Sequence, residues 1–244
     1  MRDFDVGASF HLTTSPQPGW KPPQNQPLPP PFSKEREVEL DPTGFTAGHM
    51  YKFLISAVVP RPIALISTVS KEAGGPTNIA PFSYFTIACH DPPTIMVSIN
   101  YSRGQPKDTL KNIEETGEFV VNSFNEHLVE SANHCSVPVP YNVEENILSG
   151  LTLVPSKHVK APRCLESLVS LECKLTHCHY IKNDDEEIAT GVVFGRIVGI
   201  VAKKEVIDNE TKVVNMEVFK PVSRLGGNMY GRTVSGFEIA RPTA

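Results

Sequence analysis

The sequence predicts a mainly β protein, a β-barrel decorated by short peripheral helices. Strand-like apolar runs recur along most of the chain, whereas the helical patterns between them are short. The two longest β-rich runs are separated by the polar segment KNDDEE, which is typical of a hairpin turn. Together these observations favour a barrel over a doubly wound sheet.

The N-terminal residues 1–32 are rich in proline and predict extended or polyproline II backbone rather than helix. They contain Trp20, the only tryptophan, and Phe32. Two interpretations stay open. The segment is either a disordered tail or an arm that packs these two aromatic residues on the domain or on a neighbouring subunit.

The strands that follow are predicted from alternating or continuous apolar runs bounded by turn residues. Pro81 interrupts the second run and predicts a sheet edge or a bulge there. The predicted strands cover residues 63–69, 78–89, 94–99, 119–124, 169–181, 188–202 and 213–218.

Helical spacing predicts a first helix over 46–55, ended before Pro60. A second helix follows Asp108, a good N-cap, and ends at Gly117. Two short surface helices are predicted over 126–135 and 143–148, and 225–231 is predicted to be a flexible loop.

Composition excludes several classes of function. The net charge is −4 without a long basic run, which argues against nucleic acid or anionic membranes as partners. The sequence has no apolar run long enough to cross a bilayer, and Asp3 and Asp5 argue against a secretory or transit signal. The five cysteines have no regular spacing, so we expect reduced thiols and a cytoplasmic protein.

A first candidate site precedes and opens the second helix. A helix start offers free N–H groups and a partial positive charge, which suits a phosphate. Arg103 and Lys107 add full charges before it, and Thr109 adds a hydroxyl next to Asp108. The alternative is an ordinary capped surface helix with solvated cations.

A second group of polar residues lies in otherwise apolar strands. Polar side chains inside a barrel need partners, and a flat ring with nitrogen and oxygen edges would supply them. Pro81 would free neighbouring backbone groups for such a ligand. The alternative is that these residues point to solvent or end strands. The group comprises Ser67, Thr68, Asn78, Ser83 and Asn100.

Other motifs give weak indications. His177 and His179 share one face of a strand while Cys178 points away, so a metal site is not favoured there. His134 and Cys135 are adjacent, but the sequence has no nucleophile elbow. The sequence also lacks a G-x-G-x-x-G fingerprint and a P-loop.

The sequence resembles the flavin reductase-like family of FMN-binding split β-barrels, which includes flavoredoxin-like proteins. The resemblance covers about residues 45–240. It rests on six blocks in the family's order: PRPIALIST at 60–68, NIAPFSYF at 78–85, DPPTIMVSI at 91–99, KDTLKNIEETGEFVVN at 107–122, SLECKL at 170–175 and VSRLGGNMY at 222–230.

The resemblance implies a Greek-key split barrel, a homodimer, and FMN in a groove at the dimer interface. It divides the chain into a proline-rich arm, 1–40, and an FMN-binding domain, 41–244. Ser67 and Thr68 would lie along the ribityl or phosphate. The isoalloxazine would be lined by Asn78, Ala80, Pro81, Phe82 and Ser83, the phosphate end by Asn100, Arg103, Lys107 and Thr109, and the site closed by Arg224, Gly227 and Tyr230.

The function implied is an oxidoreductase that passes hydride or electrons through FMN, with NAD(P)H as the expected donor. Two alternatives stay open: an FMN enzyme for a specific small organic molecule, and a non-enzymatic FMN electron carrier. No catalytic residue is assigned, because the cofactor carries such chemistry. By default, the candidate acids and bases are His134, His158, His177 and His179.

Overall fold

The structure, a computed structural model, describes residues 3–25, 29 and 31–242. The strands are β1 His11–Thr13, β2 Ala64–Val69, β3 Thr77–Phe82, β4 Phe85–His90, β5 Pro93–Asn100, β6 Glu118–Ser123, β7 Leu153–Val154, β8 Arg163–Cys164, β9 Val169–Lys182, β10 Ile188–Ala202, β11 Val222–Arg224, β12 Tyr230–Arg232 and β13 Ser235–Phe237. The α-helices are α1 Ala47–Ala57, α2 Asp108–Thr116, α3 Val129–His134, α4 Glu145–Ser149 and α5 Met216–Phe219.

A seven-stranded antiparallel sheet forms the body of the protein. Its strand order is β3-β2-β6-β9-β10-β5-β4. Strands β3 and β4 lie at opposite edges of this order, yet only Ser83 and Tyr84 separate them in the chain. The sheet must therefore curl round until its edges approach each other. Ser98 N donates to Tyr84 O at 2.8 Å and fastens this short connection to β5.

The core fills the concave side of the curled sheet. Apolar side chains of β2, β5, β6 and β10 pack there with Leu110 and Ile113 of α2, both fully buried. The predicted apolar face of α2 is therefore confirmed. Gly195 in β10 lies directly against the ring of Phe119, so this position has no room for a side chain.

The N-cap residue of helix α2 lies one position earlier than the sequence suggests. Lys107 is the N-cap residue, and Asp108 is the first helical residue, so the predicted N-cap role of Asp108 is wrong. At that position its carboxylate can still favour the positive end of the helix dipole. Gly117 ends the helix in the left-handed conformation with φ of 71°, as predicted.

Two strand predictions need correction. Residues 78–89 form two strands rather than one, because the chain leaves β3 after Phe82 and enters β4 at the opposite sheet edge. Residues 213–218 do not form a strand. Asn215 caps α5 by accepting from Glu217 N at 2.9 Å, which begins a helical turn in place of an extended run.

The N-terminal arm is attached to the domain through residues that the sequence did not single out. Strand β1 pairs in parallel with β13, and the Phe10 ring packs on Gly236. Trp20 and Phe32 are 45% and 65% exposed, so neither one is buried against its own domain, and their packing on a neighbouring subunit stays a prediction. Across the described residues, helices are all too short or too polar to span a membrane.

Candidate functional site

A cleft lies beside the end of β3 and the short connection from β3 to β4. It consists of three adjoining cavities that share Pro81 and Phe82 of β3. The largest, about 430 Å³, lies over the start of α2 and is called the α2 end. Two smaller cavities of about 170 and 180 Å³ continue past Ser83 and are called the Tyr230 end. The cleft is elongated, with different chemistry at each end.

The α2 end presents positive charge and free backbone donors. Lys107 and Thr109 line it, and the first N–H groups of α2 have no partner within the helix. The Lys107 Nζ lies 5.9 Å from the centre of the Phe82 ring, so the ring flanks the cation. Such a helix start favours a bound anion.

A buried hydrogen-bond network fixes the floor of the α2 end. Asn78 Nδ2 donates to Thr109 Oγ1 at 2.8 Å and to Thr68 Oγ1 at 3.5 Å. Asn112 Nδ2 donates to the same Thr68 oxygen at 3.0 Å, and Tyr141 OH donates to Asn112 Oδ1 at 2.7 Å. The network ties β2, β3 and α2 together and holds the Thr109 hydroxyl in place.

Two carboxyl groups also line the α2 end. Glu145 is buried, and its Oε2 accepts from Ile79 N at 3.2 Å. Burial raises the pKa of Glu145, opposed by backbone hydrogen bonds, and burial also raises the pKa of Asp108 against the charge of Lys111. Both carboxyls are therefore easier to protonate than they would be in water.

The Tyr230 end is bordered by aromatic rings and one arginine. Tyr230 OH donates to Asn133 Oδ1 at 2.6 Å, and its ring stacks on Phe124 at a centroid distance of 6.0 Å. The Arg224 guanidinium lies 4.4 Å from the Tyr230 ring centre. Burial raises the pKa of the Tyr230 hydroxyl, which therefore stays protonated at neutral pH. Tyr51 of α1 lines both small cavities.

Arg61 is a buried cation that connects the elements around Ser83, in the middle of the cleft. It is only 7% exposed, and its guanidinium donates to the carbonyls of Ile55, Val58 and Leu225 at 2.5, 2.8 and 3.1 Å. Its Nε lies 3.5 Å from Ser83 Oγ. The buried cation thus joins the end of α1 and the β11–β12 turn to the residue between β3 and β4.

Most of the predicted binding residues come together in this cleft. It is lined by Asn78, Ala80, Pro81, Phe82, Ser83, Asn100, Lys107, Thr109, Arg224 and Tyr230. Within the described part of the chain, Ser67, Thr68, Arg103 and Gly227 do not line it. Thr68 lies beneath the floor, as given above, and Arg103 and Gly227 lie in turns with positive φ.

Ser67 belongs to a separate buried network. Its hydroxyl donates to Pro162 O and accepts from Asn122 Nδ2 at 3.0 Å. Asn122 Oδ1 accepts in turn from Cys164 N at 2.9 Å and from Ser170 Oγ at 3.0 Å. These bonds join β2, β6 and β9 to the segment before β8. The Ser67 hydroxyl therefore has its hydrogen-bond partners within the protein and is not directed into the cleft.

Several lining residues were not predicted from the sequence. Tyr84 and Ser98 lie inside recognised blocks but were not singled out. The others come from elements outside those blocks and so lacked a local signal. Buried polar residues beside short helices were the available hint, as in the segment around Glu145. The unpredicted lining residues include Tyr51, Tyr84, Ser98, Asn133, Ser136 and Glu145.

The default acid–base and metal candidates lie elsewhere. None of His134, His158, His177 and His179 lines the three cavities within the described residues. His177 and His179 stack at 6.5 Å, and over that same portion of the chain no three His, Cys, Asp or Glu side chains are grouped to hold a metal. Burial raises the pKa of Cys164 and of Cys173 to about 12, which keeps both thiols protonated.

The comparison with known families agrees with this geometry. Residues 56–217 match the model of the flavin reductase like domain. The chain belongs to the flavin reductase-like family. The resemblance stated from the six sequence blocks is therefore confirmed, and this flavin reductase-like chain joins a family of flavin reductases and related oxidoreductases.

Solved structures extend the comparison. Nitrilotriacetate monooxygenase component B of Bacillus cereus is 32% identical, with a TM-score of 0.80 over 83% of this chain and 98% of that one. The 2-nitrobenzoate 2-nitroreductase NbaA of Pseudomonas fluorescens is 32% identical, with a TM-score of 0.74 over 84% and 97%. A putative flavin reductase with a split barrel domain from Shewanella frigidimarina, 23% identical with a TM-score of 0.68 over 83% and 96%, supports the fold alone. The mainly β split-barrel prediction is confirmed.

Proposed function

We propose that this chain is an FMN-dependent oxidoreductase with the flavin in the cleft. The observation that carries the proposal is the polarity of the cleft: a cation-flanked helix start at one end, and aromatic rings with hydrogen-bonding groups at the other. FMN has the same asymmetry, a phosphate tail joined to a flat polar ring. The phosphate would lie at the α2 end and the isoalloxazine toward Ser83 and Tyr230.

The donor set suits one phosphate. Lys107, Thr109 and the first N–H groups of α2 all border the α2 end, and Lys107 also borders one of the two small cavities. FAD carries a second phosphate and an adenosine. The start of α2 has only one set of free N–H groups, which is enough for one phosphate. The residues of the α2 end therefore favour FMN, and they bind and orient the cofactor rather than take part in bond making.

Bound flavin would accept hydride or electrons and pass them on. The chain's own contribution would be to hold the ring along Pro81, Phe82 and Ser83 and to limit water at its faces. We propose NAD(P)H as the electron donor, in keeping with the family's flavin reductases.

The cofactor test is direct. The purified protein should be yellow, with a flavin absorption spectrum, and heat-released flavin should co-elute with FMN in chromatography. A protein that releases mainly FAD would overturn the FMN assignment, and one that neither carries flavin nor quenches added FMN fluorescence would overturn the whole proposal.

A second candidate function is an FMN enzyme for one small organic molecule. A separate cavity beside the Tyr230 end favours this second function. An enzyme that only reduces free flavin would not need a further cavity. Steady-state NAD(P)H oxidation with and without free FMN separates the two: a flavin reductase speeds up with free FMN. An electron carrier would show neither activity but would be reoxidised by a protein acceptor.

A homodimer is part of the proposal. Helix α1 and its C-cap residue expose Tyr51, Leu54 and Val58 at 53%, 45% and 60%, and Ile55 is the only buried residue of α1. Large exposed apolar groups on one helix favour a protein partner. A second copy of the chain is the proposed partner, and because Tyr51 lines the Tyr230 end, the partner would complete the wall of the cleft.

A further inference from the structure

A second cavity of about 430 Å³ lies next to the cleft. It shares Asn133 and Tyr230 with the Tyr230 end. The hydrogen bond between these two side chains, 2.6 Å from the hydroxyl to Oδ1, therefore stands between the two spaces. We call this space the arm cavity. A molecule in it would lie on the far side of Tyr230 from the proposed flavin.

The N-terminal arm supplies one wall of the arm cavity. The Phe4 ring lines it and lies 4.1 Å from the Arg232 guanidinium carbon. Arg232 Nη1 also donates to Asp5 O at 3.0 Å. Because β1 pairs with β13 a few residues further on, the position of Phe4 is set by its own contact with Arg232 and by the contacts that follow it in the chain. The arm therefore closes a space that the barrel alone leaves open.

The lining favours an apolar ligand. This lining is mainly apolar and includes Phe4, Val129, Val222 and Tyr230. The volume falls in the range of small-molecule sites, which are mostly apolar with a few placed polar groups. Flat rings suit such a space because Phe4 and Tyr230 can both contact them by stacking or by edge-to-face packing.

The charges in the arm cavity disfavour an anion. Arg232 is already paired, its Nε and Nη2 donating to the two carboxylate oxygens of Glu126 at 2.6 and 3.0 Å. A bidentate pair of this kind leaves little net charge to attract a carboxylate ligand. Glu130, also in the lining, adds a second negative charge, and among the described residues no ion pair is formed with it. An uncharged ligand meets no such repulsion.

We propose that the arm cavity binds a small uncharged aromatic molecule, the organic second substrate, and that Phe4 of the arm closes over it. The role as substrate rests on the proposed flavin function, but the binding itself does not. The proposal therefore assigns the arm a part in substrate selection in addition to its attachment to the domain.

The test uses two probes that share a nitrophenyl ring, the neutral 4-nitrotoluene and the anionic 4-nitrobenzoate. Ligand-observed NMR titrations of the full-length protein as purified measure their dissociation constants. We expect 4-nitrotoluene to bind more tightly, at least fivefold. Phe4→Ala should weaken the binding of 4-nitrotoluene about threefold to tenfold. Glu130→Gln should reduce the difference between the dissociation constants of the two probes.

Phe32→Ala is the matched control, because Phe32 is an arm aromatic that stays 65% exposed. It should leave both constants unchanged, and thermal melts should show all variants folded. Equal binding of the two probes, or a Phe4→Ala variant that binds 4-nitrotoluene like the original protein, would overturn the proposal. Parallel FMN titrations keep the questions apart: loss of FMN binding with intact probe binding would refute the flavin function alone.

Discussion

Lys107 is the residue on which the phosphate assignment most depends, and its replacement is the sharpest test. Lys107→Ala should weaken FMN binding by about tenfold to a hundredfold, since a charge-assisted hydrogen bond contributes about 1.5–3 kcal/mol. Riboflavin, which lacks the phosphate, should lose much less affinity. Fluorescence titration with both flavins measures this.

Lys111→Ala is the control for Lys107→Ala. It removes a cation from the same helix, but Lys111 lies over the Tyr141 ring, 4.3 Å from its centre, and outside the cleft lining. Lys111→Ala should weaken FMN binding by less than threefold, because an exposed ion pair contributes only about 0.5 kcal/mol. Equal weakening of FMN and riboflavin by Lys107→Ala would mean that Lys107 is a structural residue.

We expect Glu145 to make FMN binding dependent on pH. Burial raises the pKa of Glu145 above the ordinary value of 4.5. Between these two pKa values the native state binds more protons than the unfolded state, so the free energy of unfolding falls as pH rises through that window. Above the raised pKa, a second carboxylate faces the proposed phosphate beside Asp108, with Glu144 nearby and with Lys107 and Lys111 opposing them. FMN affinity should fall as pH rises.

Glu145→Gln tests this directly, because the amide oxygen can still accept from Ile79 N while the titration is lost. The variant should bind FMN more tightly than the original at neutral pH, and its affinity should vary less with pH. The remaining dependence belongs to Asp108 and to the flavin phosphate. Identical pH profiles for the two proteins would show that Glu145 does not titrate against the ligand.

At the scale of elements, local patterns were enough for most helices and for the strands of the seven-stranded sheet, but not for the short strands outside it or for the pairing of strands. The alternation in β5 and β10, and Gly117 after α2, could be interpreted without knowledge of the fold. The separation of β3 from β4 could not, because only the pairing partners on opposite sheet edges decide it. The site divides in the same way: Lys107 and Asn78 lie in recognisable blocks, whereas Glu145 and Asn133 reach the cleft from distant helices.

Strand β10 allows a sharp test of packing. Gly195→Ala would place a methyl group against the Phe119 ring in the core and should cost about 1–3 kcal/mol of unfolding free energy. Gly48→Ala in α1 is the control, because open space surrounds that position, and it should be neutral or stabilising by about 0.5–1 kcal/mol. Urea titrations compare them. A Gly195→Ala protein of unchanged stability would contradict the described contact.

At the scale of the whole molecule, the exposed apolar surface is the feature that a single chain does not explain. Tyr51 and Leu54 of α1 and its C-cap residue Val58 follow helical spacing, so they form one stripe. Burying such a stripe is favourable by about 25 cal/mol for each Å² removed from water. The proposed homodimer would bury it and would bring a second chain to the rim of the cleft at Tyr51.

Leu54→Glu should therefore shift the protein from dimer to monomer and weaken FMN binding, because a charge in an apolar interface must be desolvated without a partner. Sedimentation equilibrium gives the mass, and FMN titration across a range of protein concentrations shows whether affinity follows dimer content. Val213→Glu is the control: Val213 is 63% exposed but lies in a loop away from α1, so mass and FMN affinity should not change. A protein that sediments as a monomer, or a Leu54→Glu variant that remains dimeric, would show that the α1 stripe is not the interface.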